Sequence, residues 1–325
     1  MLSCLIATGF LDAQHPALSP FKDFRFEQIT DEDGLSNAFV TCAIQDKRGF
    51  IWFGTAKGLN RFDGYQFKKW IPEDGNPNSL SQGNLWALYE SNDGAIWIGT
   101  DKGLNRFDPA TETFARYFHD SNDKNTLSND LIIAICEDNE GNLWVGTGDG
   151  LCILQKGSDS FKRYFYTPGD TVGTGVRSII RDESGCMWFG ARDTLYCFNP
   201  ADRQFHGFPL DAFDQPPADR STNFVKVIFL EDSCHIWLST DLNGIYLFNK
   251  KTGRFEQHFR HNPSNKNSLY HNRISSFLTD EYNRLWIGSY GGGWDILDRN
   301  RNIFSTLIRT LSIQFTKIST SSEVC

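Results

Sequence analysis

Nowhere does the sequence hold the roughly 18 consecutive apolar residues of a membrane-crossing helix. Long runs of one charge sign are missing as well. The 32 basic and 40 acidic residues leave a net charge of −8 spread along the chain, without the basic patch of a nucleic-acid binder. Nucleic acid is therefore not expected as a partner, and a membrane is expected only through segments outside this sequence. Cys4, Cys42, Cys136, Cys152, Cys186, Cys197, Cys234 and Cys325 lack the paired spacing of a zinc site or a disulfide framework. Cys186 and Cys197 alone fall on the two arms of one predicted hairpin, where a bridge is geometrically open to them. P-loop, GxGxxG, HExxH and GxSxG motifs are all absent, and no nucleotide-binding box of a kinase is present. Neither a cofactor nor a metal is expected. His258 and His261 have a ligand-like spacing but no third ligand nearby, and they read as surface histidines.

What the chain does contain is a repeat. Trp52, Trp97, Trp144, Trp188, Trp237 and Trp286 stand at intervals of 44 to 49 residues, the period of a propeller blade. Twelve positions before each lies an apolar residue: Val40, Leu85, Ile132, Val176, Val225, Ile274. Two positions after it comes Gly54, Gly99, Gly146, Gly190, Ser239 or Gly288, and next to that Thr55, Thr100, Thr147, Ala191, Thr240 or Ser289.

Each copy reads as four short strands. In the first, VTCAIQD is strand A, FIWFGT strand B, GLNRFD strand C and YQFKKW strand D. Asp46 with Gly49, Asp138 with Gly141 and Asp182 with Gly185 mark tight A–B turns. Ile51 and Phe53 point to one side of strand B and Trp52 to the other, so a blade needs a neighbour on both faces. The expected fold is an all-β propeller of four-stranded antiparallel blades, with the six tryptophans as core. The small residue two after each Trp lets the next blade's backbone approach closely.

The flanks differ. Residues 1–20 read as a signal-peptide remnant or a disordered leader, without Lys or Arg before the apolar part. Repeats occupy 21–302, and 303–325, rich in Ser and Thr and poor in acids, reads as an aberrant or truncated tail. Residues 24–30 resemble a strand D that precedes the first full repeat, while the sixth copy has its own strand D near Phe304. The ring is thus expected to be unclosed or poorly closed.

The combination of DKRGFIWFGT, GLNRFD and links such as NPNSLSQGNL, NDKNTLSNDL and NPSNKNSLYHNRI resembles the two-component regulator propeller repeats of extracytoplasmic sensor regions in bacterial hybrid histidine kinases and diguanylate cyclases. The resemblance covers about residues 24–302. It implies a seven-bladed ring, a periplasmic location, a homodimer in the full-length receptor and no catalytic role for this region. The fourth repeat departs most, with Ala191 for Thr and Thr194 for the turn Gly.

In such a ring the D–A links and B–C turns open on one face, around the mouth of the axis, where ligands commonly bind. Loops vary there between blades while strands stay uniform. The candidate ligand-binding residues are Lys57, Asp101, Lys102, Asp149, Arg192, Asp241 and Tyr290 at B–C turns, with Asn84, Asn129 and Arg273 entering strand A. They suit a polar small molecule or an oligosaccharide. For the acids, turn chemistry alone is the plainer explanation. A polysaccharide lyase or hydrolase is the alternative and offers only His271 and Tyr290 as candidate groups; a protein-interaction scaffold is a third reading.

Overall fold

The computed structural model describes residues 29–165, 175–210, 224–280, 282–291, 293–299, 303–308 and 318–320. Among them there is no α-helix, and 25 strands, β1 to β25 in chain order, form six sheets, one for each repeat. In the first, β1 (Val40–Gln45), β2 (Ile51–Thr55), β3 (Leu59–Phe62) and β4 (Phe67–Trp70) pair antiparallel in sequence order. The other five repeat this meander. Their A strands are β5 (Leu85–Glu90), β9 (Ile132–Glu137), β13 (Val176–Arg181), β17 (Val225–Leu230) and β21 (Ile274–Thr279). The A strands touch one another in the order β1, β5, β9, β13, β17, β21 and so surround the axis of a six-bladed propeller. β24 (Ile303–Ile308) is strand D of the sixth blade, which therefore runs past residue 302. A short strand, β25 (Ile318–Thr320), stands between β21 and β1 and pairs in parallel with β1. The seventh blade implied by the resemblance is not among the described residues, and most of the expected strand 24–30 lies outside them.

All six repeat tryptophans are buried, at 0% to 8% exposure. The first five each join a cluster with the following blade. Trp144 packs on Phe189, Phe198 and Phe205 of blade four, and Trp52 meets Phe107 of blade two edge-on at 5.7 Å. Phe53, on the opposite face of the same strand, belongs to a separate cluster with Leu35 and Val40. In blades two to five, period-2 alternation gives the B strand two faces covered by different neighbours: Ile98, Val145, Phe189 and Leu238 join the cluster of the preceding blade's Trp, while the Trp of the same strand joins the following blade.

The A–B turn acid supplies the indole with a partner, six positions upstream. Trp52, Trp144, Trp188 and Trp286 donate Nε1–H to Asp46, Asp138, Asp182 and Asp280 at 2.8–2.9 Å, and Trp237 donates to Glu231 at 3.0 Å. Only the second repeat departs, with Ser91 at that place. The other carboxylate oxygen closes the turn: Asp46 Oδ1 accepts from the backbone N–H groups of Arg48 and Phe50. The same turns stitch blade to blade. Lys250 bonds Asp182 at 2.9 Å, Arg299 bonds Glu231 at 2.9 Å, Asn92 bonds Glu137 at 2.8 Å, and the Lys47 backbone N–H donates to Glu90 at 2.9 Å. Cys186 and Cys197 are free; the hydrogen bond between the two thiols holds Cys186 down to about 6 and pushes Cys197 up.

The glycine two after the Trp is where blades come closest. A Cβ on Gly99 would sit 2.7 Å from the Ile132 carbonyl oxygen of the next blade, backbone that cannot swing aside. On Gly288 the nearest atoms to a Cβ are side-chain atoms of its own blade, Ser276 Oγ at 2.5 Å, Ser275 Oγ at 3.3 Å and the Trp294 ring at 3.4 Å, and the two hydroxyls can rotate. Gly99→Ala should therefore cost about 2 kcal/mol or more through overpacking, and Gly288→Ala distinctly less. Urea unfolding of both variants checks this; equal midpoints would contradict it.

On the opposite face, buried amides pin the D–A links. Asn60 accepts the Ser36 N–H at 2.7 Å and donates to Ser36 Oγ at 2.9 Å, and Asn105 does the same for Ser81. In blade six Asp295 takes this place, fully buried, with burial raising its pKa, and accepts from Tyr270 N–H and Thr306 Oγ1.

Candidate ligand site at the mouth of the ring

Three positions in each repeat meet at the mouth: the residue entering strand A, the second residue of strand A, and the first B–C turn residue, at Trp −13, −11 and +4. The turn residue's N–H donates to the carbonyl of the entering residue. This bond runs from Ala56 to Phe39, Asp101 to Asn84, Gly148 to Leu131, Asp241 to Phe224 and Tyr290 to Arg273, at 2.8–3.3 Å. One scaffold therefore presents different side chains blade by blade. In blade four the turn closes in two residues, Ala191 opposite Thr194, as in blades two and three; there the positive φ falls on Gly103 and Gly150, at the place of Thr194, and here on Arg192, at 53°.

Several expected residues pair within their own blade. Asp101 accepts from Asn84 Nδ2 at 2.6 Å and from the indole N–H of Trp86, whose ring is 39% exposed. Asp149 accepts from Asn129 Nδ2 at 2.8 Å. The backbone N–H groups of Lys57 and Lys102 bond the preceding threonine hydroxyls at 3.1 and 3.0 Å, and both residues are exposed, as is Arg192.

Blades four to six behave differently, because there the side chains reach across blades. Arg177 of blade four lies 3.8 Å from Asp241 of blade five, which also faces Lys226 at 3.7 Å. Lys226 stands 5.4 Å over the ring of Tyr290 in blade six, and the Arg273 guanidinium covers that ring at 4.5 Å. Arg177 in turn lies 5.5 Å over Phe224. Desolvation lowers the Lys226 pKa, opposed by Asp241 and aided by Arg273 and Arg177. The structure thus brings Asp241, Arg273 and Tyr290 together with Arg177, and adds Lys226, Phe224 and Trp86, which the sequence reading did not select. Aligning the repeats on Trp −11 would have found two of these: the series runs Thr41, Trp86, Ile133, Arg177, Lys226, Ser275.

The lyase candidates are both tied to Arg273. His271 Nδ1 accepts the Arg273 backbone N–H at 2.9 Å, and its pKa is lowered by burial and by the nearby His261 and Arg273 charges; Tyr290 N–H donates to the Arg273 carbonyl. His258 and His261 bond the carbonyl oxygens of Asn243 and Leu269 at 2.6 and 2.7 Å. Among the described residues no group of three or more His, Cys, Asp or Glu side chains could hold a metal ion.

Residues 34–57, 79–102, 126–149 and 271–291 match the family model of the two component regulator propeller, that is, repeats one, two, three and six. Four of the six repeats of this chain match as two-component regulator propeller repeats. Ala191, Thr194 and Ser239 fall in the two copies that the family model does not match. Over 54 residues, 16% of the chain, the propeller is 48% identical to histidine kinase P4 of Formosa agariphila, of which this stretch is 4%. It is similar to the extracellular domain of a hybrid two-component system from B. thetaiotaomicron, with 25% identity and a TM-score of 0.69, over 89% of this chain and 38% of that one. Both relatives are thus far longer than the matched region. Virginiamycin B lyase from Staphylococcus aureus shares the fold, with a TM-score of 0.66 at 13% identity, over 87% of this chain and 89% of that one.

Proposed function

We propose that this propeller is the extracytoplasmic, non-catalytic ligand-sensing region of a bacterial two-component signal transduction protein. The observation that carries the reading is the division of labour between its two faces. On the A–B side, repeated carboxylates spend their oxygens on tryptophans, turns and neighbouring blades. At the mouth, the same three backbone positions carry Asn84, Trp86 and Asp101 in one blade and Arg273, Ser275 and Tyr290 in another. The likeness to the extracellular domain of a hybrid two-component system supports the location. The bound molecule is read as a polar small molecule or an oligosaccharide, recognised by charge pairing, hydrogen bonds and the aromatic rings of Trp86, Phe224 and Tyr290.

The test is a calorimetric screen of the purified chain against neutral and acidic mono- and oligosaccharides, with product analysis of every mixture. Saturable binding with unchanged ligand is expected. Turnover of any member, abolished by His271→Ala, would move the assignment to a propeller lyase or hydrolase. The absence of binding across the panel would favour a protein-interaction scaffold.

A further inference from the structure

Charge at the three mouth positions is uneven in a way the overall charge does not suggest, with the exposed Lys57 and Lys102 one turn position further on in blades one and two. At the three mouth positions, blades one to three carry Phe39, Thr41, Ala56, Asn84, Trp86, Asp101, Leu131, Ile133 and Gly148, with one acid and no cation. Blades four to six carry Arg177, Arg192, Lys226 and Arg273 against one acid, Asp241. Yet the whole chain has a net charge of −8. Asp193, beside Arg192 in the same turn, accepts from Thr194 Oγ1 at 3.3 Å.

The single acid does not satisfy this cluster. Asp241 stands 3.8 Å from Arg177 and 3.7 Å from Lys226, longer than a charge-assisted hydrogen bond, which runs at about 2.7–2.9 Å. The Arg273 Nε is buried without a hydrogen-bond partner among the described residues. A buried guanidinium N–H without a partner and a desolvated ammonium both stand over the ring of half-exposed Tyr290, and each is a donor short of an acceptor. Tyr290 remains 46% exposed.

We propose that Arg177, Lys226 and Arg273 form a subsite for an oxyanion, a carboxylate or a sulfate, carried on a ring that lies against Tyr290 and Phe224. Lys226 and Arg273 provide the charge at the Tyr290 side, Arg177 at the Phe224 side, and Asp241 fixes the spacing of Arg177 and Lys226. The inference rests on the mouth being the ligand face and adds the sign of the ligand's charge and its place in the ring.

The experiment is calorimetric titration of the full chain with sodium glucuronate, glucose and sodium sulfate. Glucuronate is expected to bind and to weaken as salt rises; glucose, which lacks the anion, should bind on the order of ten-fold or more weakly. Sulfate binding comparable to glucuronate would mark the subsite as sulfate-directed, and weaker sulfate binding as carboxylate-directed. Lys226→Gln and Arg273→Gln should each weaken glucuronate on the order of ten-fold, with melting temperatures recorded to confirm folding, while the exposed strand D variant Lys69→Gln leaves it unchanged. No binding of either anion, or anion binding indifferent to both variants, overturns the subsite. Glucose binding equal to glucuronate and lost in Asp101→Asn would overturn it too, yet leave the mouth as the ligand face.

Discussion

Trp144→Ala should cost about 3–5 kcal/mol of stability, enough to unfold or loosen blades three and four together. The side chain is 1% exposed, and its neighbours Phe189, Phe198 and Phe205 all belong to the following blade. Truncation leaves a cavity at the interface and removes the Trp144 donor from Asp138, whose partly buried Oδ2 keeps only Asn142 Nδ2. Because each blade is covered only by its neighbours, the loss spreads along the ring rather than staying in one sheet. Trp86→Ala, removing an equally large but 39% exposed ring, should change stability by no more than about 1 kcal/mol. Circular dichroism melts of the two variants separate these outcomes. Similar losses in both would mean that the repeat tryptophans are not the core.

Asp182→Asn should be nearly as damaging, at about 3 kcal/mol. Oδ2 of Asp182 accepts from Trp188 Nε1 and from the Lys250 ammonium, both at 2.9 Å, while Oδ1 accepts from Ser184 and Cys186. An amide nitrogen at either oxygen's place faces two donors. The variant therefore strands an ammonium whose side chain is only 11% exposed and removes a polar link between blades four and five. Burial alone would raise the Asp182 pKa, but the hydrogen bonds from Ser184, Trp188 and Lys250 outweigh it and hold the carboxyl low. Asp280 is held low in the same way by Trp286 and Arg284. With folded values below the unfolded one of about 3.9, these groups contribute stability that is complete above the unfolded value. The contribution is lost as pH falls from there through the folded values. The wild-type chain should thus lose stability steeply below about pH 4, and Asp182→Asn should show a shallower acid limb. Thermal melts between pH 2 and 7 read both slopes; parallel profiles would contradict the assignment.

The fold was legible because its determinants are local and repeated. Trp spacing, the glycine two residues on and the turn Asp–Gly pairs each act within one blade or between adjacent ones. Legibility failed where contact depends on how blades are turned about the axis. Asp46 reads as a turn residue, and nothing in that reading tells that its second oxygen reaches the Trp52 indole. Asp101 and Asp149 bond Asn84 and Asn129 of their own blades, pairs 17 and 20 residues apart that the local turn chemistry of an Asp does not foretell. Lys226 was passed over because it reads as one polar interruption in a strand. Its meaning comes from Asp241 in its own blade and Tyr290 in the next, brought to it by the packing of β17 against β21. The departure at Thr194 resolves into the same two-residue turn as in blades two and three, with the positive φ moved from the glycine place onto Arg192.

The division between a scaffold face and a recognition face is the central claim, and hydrogen exchange tests it most directly. The full chain would be compared with and without the tightest binder from the saccharide screen. The account predicts added protection at the mouth, in peptides spanning 84–86, 101, 175–177, 224–226, 241, 273 and 290, and none at the A–B turns around 46–49, 138–142 and 182–186. Protection confined to those A–B turns would contradict it.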